Sequence, residues 1–163
     1  MKKVILIAML AGSALMCSCA EEKKVEPVRL SAGFETQLTY EQNNVTFIAD
    51  MLRQEDGSWS FTFSEPKTIE GLTFTQTDKV ITVSMGDISY LADQAQIADT
   101  SSVKLIAAAA DKLVSGKGLK ADSKKNGVTE MSGKVGDLDF AAGIKKGKLT
   151  SLKIGNELSV KFK

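Results

Sequence analysis

Apolar and polar side chains alternate along most of this chain with the period of two that a half-buried strand requires. Phe34, Thr36, Leu38 and Tyr40 interleave with Glu35, Gln37 and Thr39. Beyond a turn signal at Gln42-Asn43-Asn44, the alternation resumes with Val45, Phe47, Ala49 and Met51. Past Glu55-Asp56-Gly57-Ser58 it resumes again, with Trp59, Phe61 and Phe63. Strands joined by turns this short cannot be parallel, so the pattern predicts an antiparallel meander.

Pro66 removes a ladder donor, which makes residues 65–70 a loop or an edge crossing. Residues 71–76 and 79–85 then read as a fourth and a fifth strand, and residues 87–91 as a short sixth. The period next changes once. Val103, Ile106, Ala107, Ala110, Leu113 and Val114 share one face at helical spacing, with Thr100 to Ser102 as N-cap candidates and Gly116 as the stop. On this spacing Lys104 and Lys112 fall away from the apolar stripe. Residues 118–123, 128–135, 138–144, 148–154 and 158–162 are strand-like again, separated by hairpin-grade turns such as Asn126-Gly127 and Lys146-Gly147.

The expected fold is therefore mainly β (α+β), with about 10–11 antiparallel strands and one main helix inserted after the sixth. A twisted antiparallel sheet of this size curls, which suggests an incomplete, strongly curved barrel with the helix on its concave face. Phe34, Leu38, Phe47 and Met51, with Trp59, Phe61, Phe63 and Phe74, offer apolar side chains to that face. Ile106, Ala110 and Leu113 face them from the helix. These side chains either fill the interior themselves or line a hydrophobic trough that takes an apolar ligand.

The N-terminus specifies an address. Met1-Lys2-Lys3 precedes an apolar run, Val4 to Met16, that is too short to span a bilayer. The run ends in Ser13-Ala14-Leu15-Met16-Cys17-Ser18-Cys19, with the small Ser18 directly before Cys19. This resembles the lipobox of bacterial lipoproteins, whose cysteine is lipidated and becomes the first mature residue. Cys17 is the weaker candidate, because bulky Met16 precedes it. The resemblance implies a signal peptide over residues 1–18, a lipidated Cys19 with a polar tether to residue 32, and a domain over residues 33–163. It also implies an extracytoplasmic protein anchored in the cell membrane.

Composition narrows the chemistry. The chain has no histidine, and its two cysteines are Cys17 and Cys19, so the domain holds no disulfide, no catalytic thiol and no imidazole base. Phosphate loops and nucleophile elbows are absent. Ser123 with Lys124, Ser132 near Lys134, and Asp137 with Asp139 are the remaining catalytic combinations, and turn or surface roles explain them more simply. Neither an enzyme nor a cofactor or metal is expected. Residues 20–100 carry 6 basic and 14 acidic side chains, whereas residues 101–163 carry 13 basic and 6 acidic. The basic half suits anionic headgroups or wall polymer; with few aromatics and an exported address, nucleic acid is not expected.

The lipobox, the meander, the run Phe61-Thr62-Phe63-Ser64-Glu65-Pro66 before Ile69-Glu70-Gly71-Leu72-Thr73-Phe74, and the late helix together resemble the LolA-type lipoprotein-carrier superfamily. The resemblance implies an incomplete antiparallel barrel around a helical lid, with a cavity for acyl chains. Two functions follow as expectations. One is a membrane-anchored protein holding an acyl chain or lipoprotein moiety. The other is a protein-interaction module of the envelope with a self-filled core.

Overall fold

The computed structural model describes residues 25, 27–77, 80–99 and 101–163, with side chains at 123 and 124 left aside. The expected signal peptide, Cys19, most of the expected tether and the Thr100 cap candidate lie outside the described residues. Eleven strands form one antiparallel sheet: β1 (Phe34–Gln42), β2 (Val45–Arg53), β3 (Trp59–Glu65), β4 (Thr73–Gln76), β5 (Val80–Met85), β6 (Ile88–Asp93), β7 (Lys120–Lys125), β8 (Val128–Val135), β9 (Leu138–Lys145), β10 (Lys148–Ile154) and β11 (Leu158–Phe162). The spatial order is β6-β5-β4-β3-β2-β1-β11-β10-β9-β8-β7. The chain thus forms two meanders joined at β1 and β11 in the middle, and the sheet remains open between its edges β6 and β7. One helix, α1 (Ser102–Ser115), carries the chain from one edge to the other.

Local chemistry accounts for these boundaries. Asn43 and Asn44 both adopt positive φ, 53° and 61°, the geometry that two-residue hairpin turns need and that asparagine tolerates better than most residues. Gly116 ends α1 at φ 68°, its N–H returning to the Lys112 carbonyl. Residues 27–32, read from sequence as the end of the tether, have no regular secondary structure. They run irregularly to the helix C-terminus, where Leu30 is buried and its N–H meets the Leu113 carbonyl at 3.4 Å.

The helix lies across the apolar face of the sheet. At its start, the Ser102 hydroxyl donates to Gln42 Oε1 at 3.0 Å. Near its end, Asp111 accepts from Arg53 Nε at 2.9 Å and from Trp59 Nε1 at 3.1 Å. Ile106, Ala107, Ala109, Ala110 and Leu113 form its buried stripe. The alanines keep that stripe thin, so the helix sits close to the strands beneath. Among the described residues the buried core cluster runs from Leu30 to Phe162, with Val28 packed against it.

Candidate functional site

Strand pairing places the aromatic side chains in rows that cross the sheet. Residues 36, 51, 61, 74, 83 and 90 stand opposite one another in succession, because Thr36 pairs with Met51, Met51 with Phe61, Phe61 with Phe74, Phe74 with Val83, and Val83 with Tyr90. Along this one row burial fades. Met51 is 0% and Phe61 2% exposed, Phe74 and Val83 are half-buried, and Tyr90 is 60% exposed. Directly opposed residues share a face, so the face that forms the core continues to the β6 edge without its cover.

Under the helix this face is filled. Leu38, Met51, Trp59, Phe61, Phe63, Ile106, Ala110 and Leu113 are all buried and belong to one core cluster. Phe34, Phe47 and Phe74 are half-buried against the same cluster. Edge-to-face contacts link Phe34 to Trp59 at 5.7 Å, Phe47 to Phe63 at 6.2 Å and Phe63 to Phe74 at 6.1 Å. Tyr40 stacks on Phe47 at 4.9 Å. All eleven positions predicted to line a trough are thus brought together, packed against one another.

A void of about 70 Å³ remains beside Phe61 and Phe74, lined also by Ile81, Ile97, Ser101 and Val103. A drug-sized ligand occupies a pocket of about 300–1,000 Å³, so this void admits the end of a chain and no more. The Ser101 hydroxyl is buried beside it with no hydrogen-bond partner among the described residues. The roof is the lead into α1, held by Lys104. Its ammonium donates to the carbonyls of Gln94 and Ile97, both at 2.7 Å, and to Asp99 Oδ1 at 2.8 Å. Lys104 therefore does not extend into solvent as helical spacing alone suggested. Its ammonium, hydrogen-bonded to Asp99, holds that carboxyl below the ordinary aspartate range.

Outside the roof, the same face carries Met85, Ile88 and Tyr90, which are 47%, 79% and 60% exposed. Met85 pairs with Ile88, Val83 with Tyr90 in the row behind, and only the next row, Ile81 with Ala92, is buried. The opposite face of β5 and β6 mixes the polar Thr82, Ser84, Ser89 and Asp93 with Val80 and Leu91, which are 38% and 69% exposed. Three of the five large side chains exposed on β5 and β6, Met85, Ile88 and Tyr90, thus lie on the side that continues the core face. The sequence reading stopped at Phe74 and missed this extension, although Val83, Met85, Ile88 and Tyr90 carry a period-two signal.

The catalytic combinations weighed from sequence fall on hairpins. Lys134 pairs with Asp139 at 3.5 Å across two exposed side chains, and Asp137 lies in the turn between their strands. Burial pushes the Tyr40 phenol up to about 12, while its hydrogen bond with Ser102 pulls the other way. Between pH 10 and 12 the unfolded chain loses this proton and the folded chain keeps it, so stability falls as pH rises through that window. An ultraviolet titration is expected to show a phenol step near pH 12 that Tyr40→Phe removes.

No family model matches the sequence, and no curated protein does. Among solved structures, the fold is similar to an uncharacterized conserved protein from Thermus thermophilus. The TM-score is 0.49 at 11% identity, covering 79% of this chain and 76% of that one.

Proposed function

We propose that this chain is a non-enzymatic envelope lipoprotein, anchored outside the cytoplasm through Cys19, that holds an apolar ligand on the uncovered wing of its sheet. The observation that carries this reading is the exposure of Met85, Ile88 and Tyr90 on the face whose neighbouring rows form the core. Large apolar side chains gathered on one exposed face mark a binding surface. An acyl chain or lipoprotein moiety lies along β5 and β6, with its end in the void beside Phe61 and Phe74. The filled region under α1 is the scaffold. On this reading the open curved sheet is an incomplete barrel of the LolA type, and no cofactor or metal takes part.

The test is titration of the domain, residues 25–163, with a fluorescent fatty acid. Saturable binding is expected, and Ile88→Ser with Tyr90→Ser is expected to weaken it at least tenfold. Both positions are exposed, so stability should stay within about 0.5 kcal/mol of the parent. Absence of saturable binding, or equal affinity in the variant, overturns the proposal.

One observation favours a protein partner instead. Strand β6 is an edge, and Leu91 on its other face is 69% exposed. An added strand would use the free backbone of β6 and touch both faces. Leu91→Ser would then weaken binding as much as Tyr90→Ser, whereas a ligand confined to the apolar wing is indifferent to Leu91.

A further inference from the structure

The end of the domain nearest the anchor carries a basic surface of its own. Leu30 and Ser31 border an open groove of about 480 Å³ between the start of β1 and the β9–β10 hairpin. Its floor includes Phe34, Leu149 and Phe162. Its rim carries Lys145, Lys146, Lys148 and Lys163 against a single acid, Glu35. All four lysines are exposed. The ion pairs among the described residues involve Arg53, Lys67, Lys104 and Lys134, leaving none for the four rim lysines.

The hairpin fixes this charge in place. Lys146 and Gly147 form its turn at φ 51° and 76°, and Lys145 stands directly opposite Lys148. Like charges in opposed positions disfavour strand pairing. An anionic counterpart that attracts both lysines offsets that repulsion. The Lys125-Asn126-Gly127 turn of the neighbouring hairpin lies at the same end, because Val128 pairs with both Lys125 and Lys145. Of the carboxylates at this end of the strands, Glu35 lies on the rim, Glu130 stands two pairs from Lys145 on β8, and Glu55, Asp56 and Asp93 lie on the far side of β1.

We propose that this face docks on the surface of an anionic bilayer, with the four lysines among the headgroups. The inference rests on the anchor at Cys19. From Cys19 to Pro27 the chain extends about 27 Å at most, so the face where residues 27–31 enter the domain is held close to the membrane. The segment between them, Glu21-Glu22-Lys23-Lys24-Val25-Glu26, has no positive surplus, so the attraction must come from the folded domain. Each lysine near an anionic surface strengthens partitioning roughly fivefold at moderate salt. Docked in this way, the domain places its opposite end, with the β5–β6 turn and the apolar wing, away from the bilayer.

The test is co-sedimentation of the unlipidated domain, residues 25–163, with vesicles of phosphatidylcholine alone or of phosphatidylcholine and phosphatidylglycerol in equal parts. Binding is expected only to the anionic vesicles, and it should vanish near 0.5 M salt, where the Debye length is about 4 Å. Lys145→Glu, Lys146→Glu and Lys148→Glu together should reduce it at least tenfold. The Gln substitutions at the same sites should reduce it less, without adding repulsion to the hairpin. Glu substitutions at Lys134, Lys153 and Lys161 make the same change in net charge elsewhere and should leave most of the binding intact. Equal binding to both vesicles, no binding to either, or equal losses in the two triple variants overturns the proposal. Labelling of the full chain with radioactive palmitate reports on the anchor separately, so failure of either claim shows in its own experiment.

Discussion

Replacing Trp59 with alanine is expected to cost about 4 kcal/mol of stability, read as a shift in the denaturant midpoint. The ring is 2% exposed, stacked on Phe61 at 6.1 Å and met edge-on by Phe34. Its removal leaves a cavity under the C-terminal half of α1, where neighbouring strands have little freedom to collapse. Two further interactions depend on it. The indole N–H donates to Asp111, and the Arg53 guanidinium lies over the ring at 5.4 Å. Arg53 also donates to Asp111 and to the Ala32 carbonyl, so one cluster ties β2, β3, α1 and the chain entry together. Trp59→Phe keeps most of the packing and loses the N–H, and should cost about 1 kcal/mol, since Asp111 is half exposed and retains Arg53. The whole domain has on the order of 5–15 kcal/mol to lose, so the alanine variant should be marginal. Equal costs for the two variants would place the stabilisation in the hydrogen bond rather than in the filled interior.

The second large effect concerns the anchor. In the full chain, Cys19→Ala is expected to abolish palmitate labelling completely, whereas Cys17→Ala should leave it unchanged. The reason lies in the residue before each thiol: Ser18 is small and Met16 is not. Each buried methylene contributes about 0.8 kcal/mol to membrane attachment, so a lipid at Cys19 would outweigh anything the proposed basic face adds. Intact mass of the mature protein checks the cut, which should leave residue 19 as the first. Labelling that follows Cys17, or persists without Cys19, would contradict the assignment.

Much of the fold can be read from local pattern because most of its contacts are local. Each strand but β1 and β11 pairs only with its neighbours in sequence, so alternation and turn chemistry suffice. Residues 128–135, 148–154 and 158–162 are bounded in the structure as the alternation bounds them. The differences arise where tertiary position decides. Strand β6 runs to Asp93 and leads into a short 3-10 turn over Gln94–Gln96 that the sequence pattern does not announce. Lys104 has the spacing of a solvated residue, yet three oxygen atoms brought by the crossing segment surround its ammonium. The apolar face was legible as a face, but how far the helix covers it was not. Coverage depends on where a single crossing helix lies across eleven strands, and no period records that. The rim lysines were visible as charge, but their meeting with the chain entry depends on the central pairing of β1 with β11, between residues far apart in sequence.

The central claim is that an apolar ligand rests on the bare wing and leaves the filled interior undisturbed. Nuclear magnetic resonance of the methyl groups, with a spin-labelled fatty acid added to the domain, tests this most directly. The account predicts strong broadening at Val83, Met85 and Ile88, with Leu38, Leu152 and Val160 spared. Broadening centred on those buried residues, or spread evenly over the surface, would contradict it.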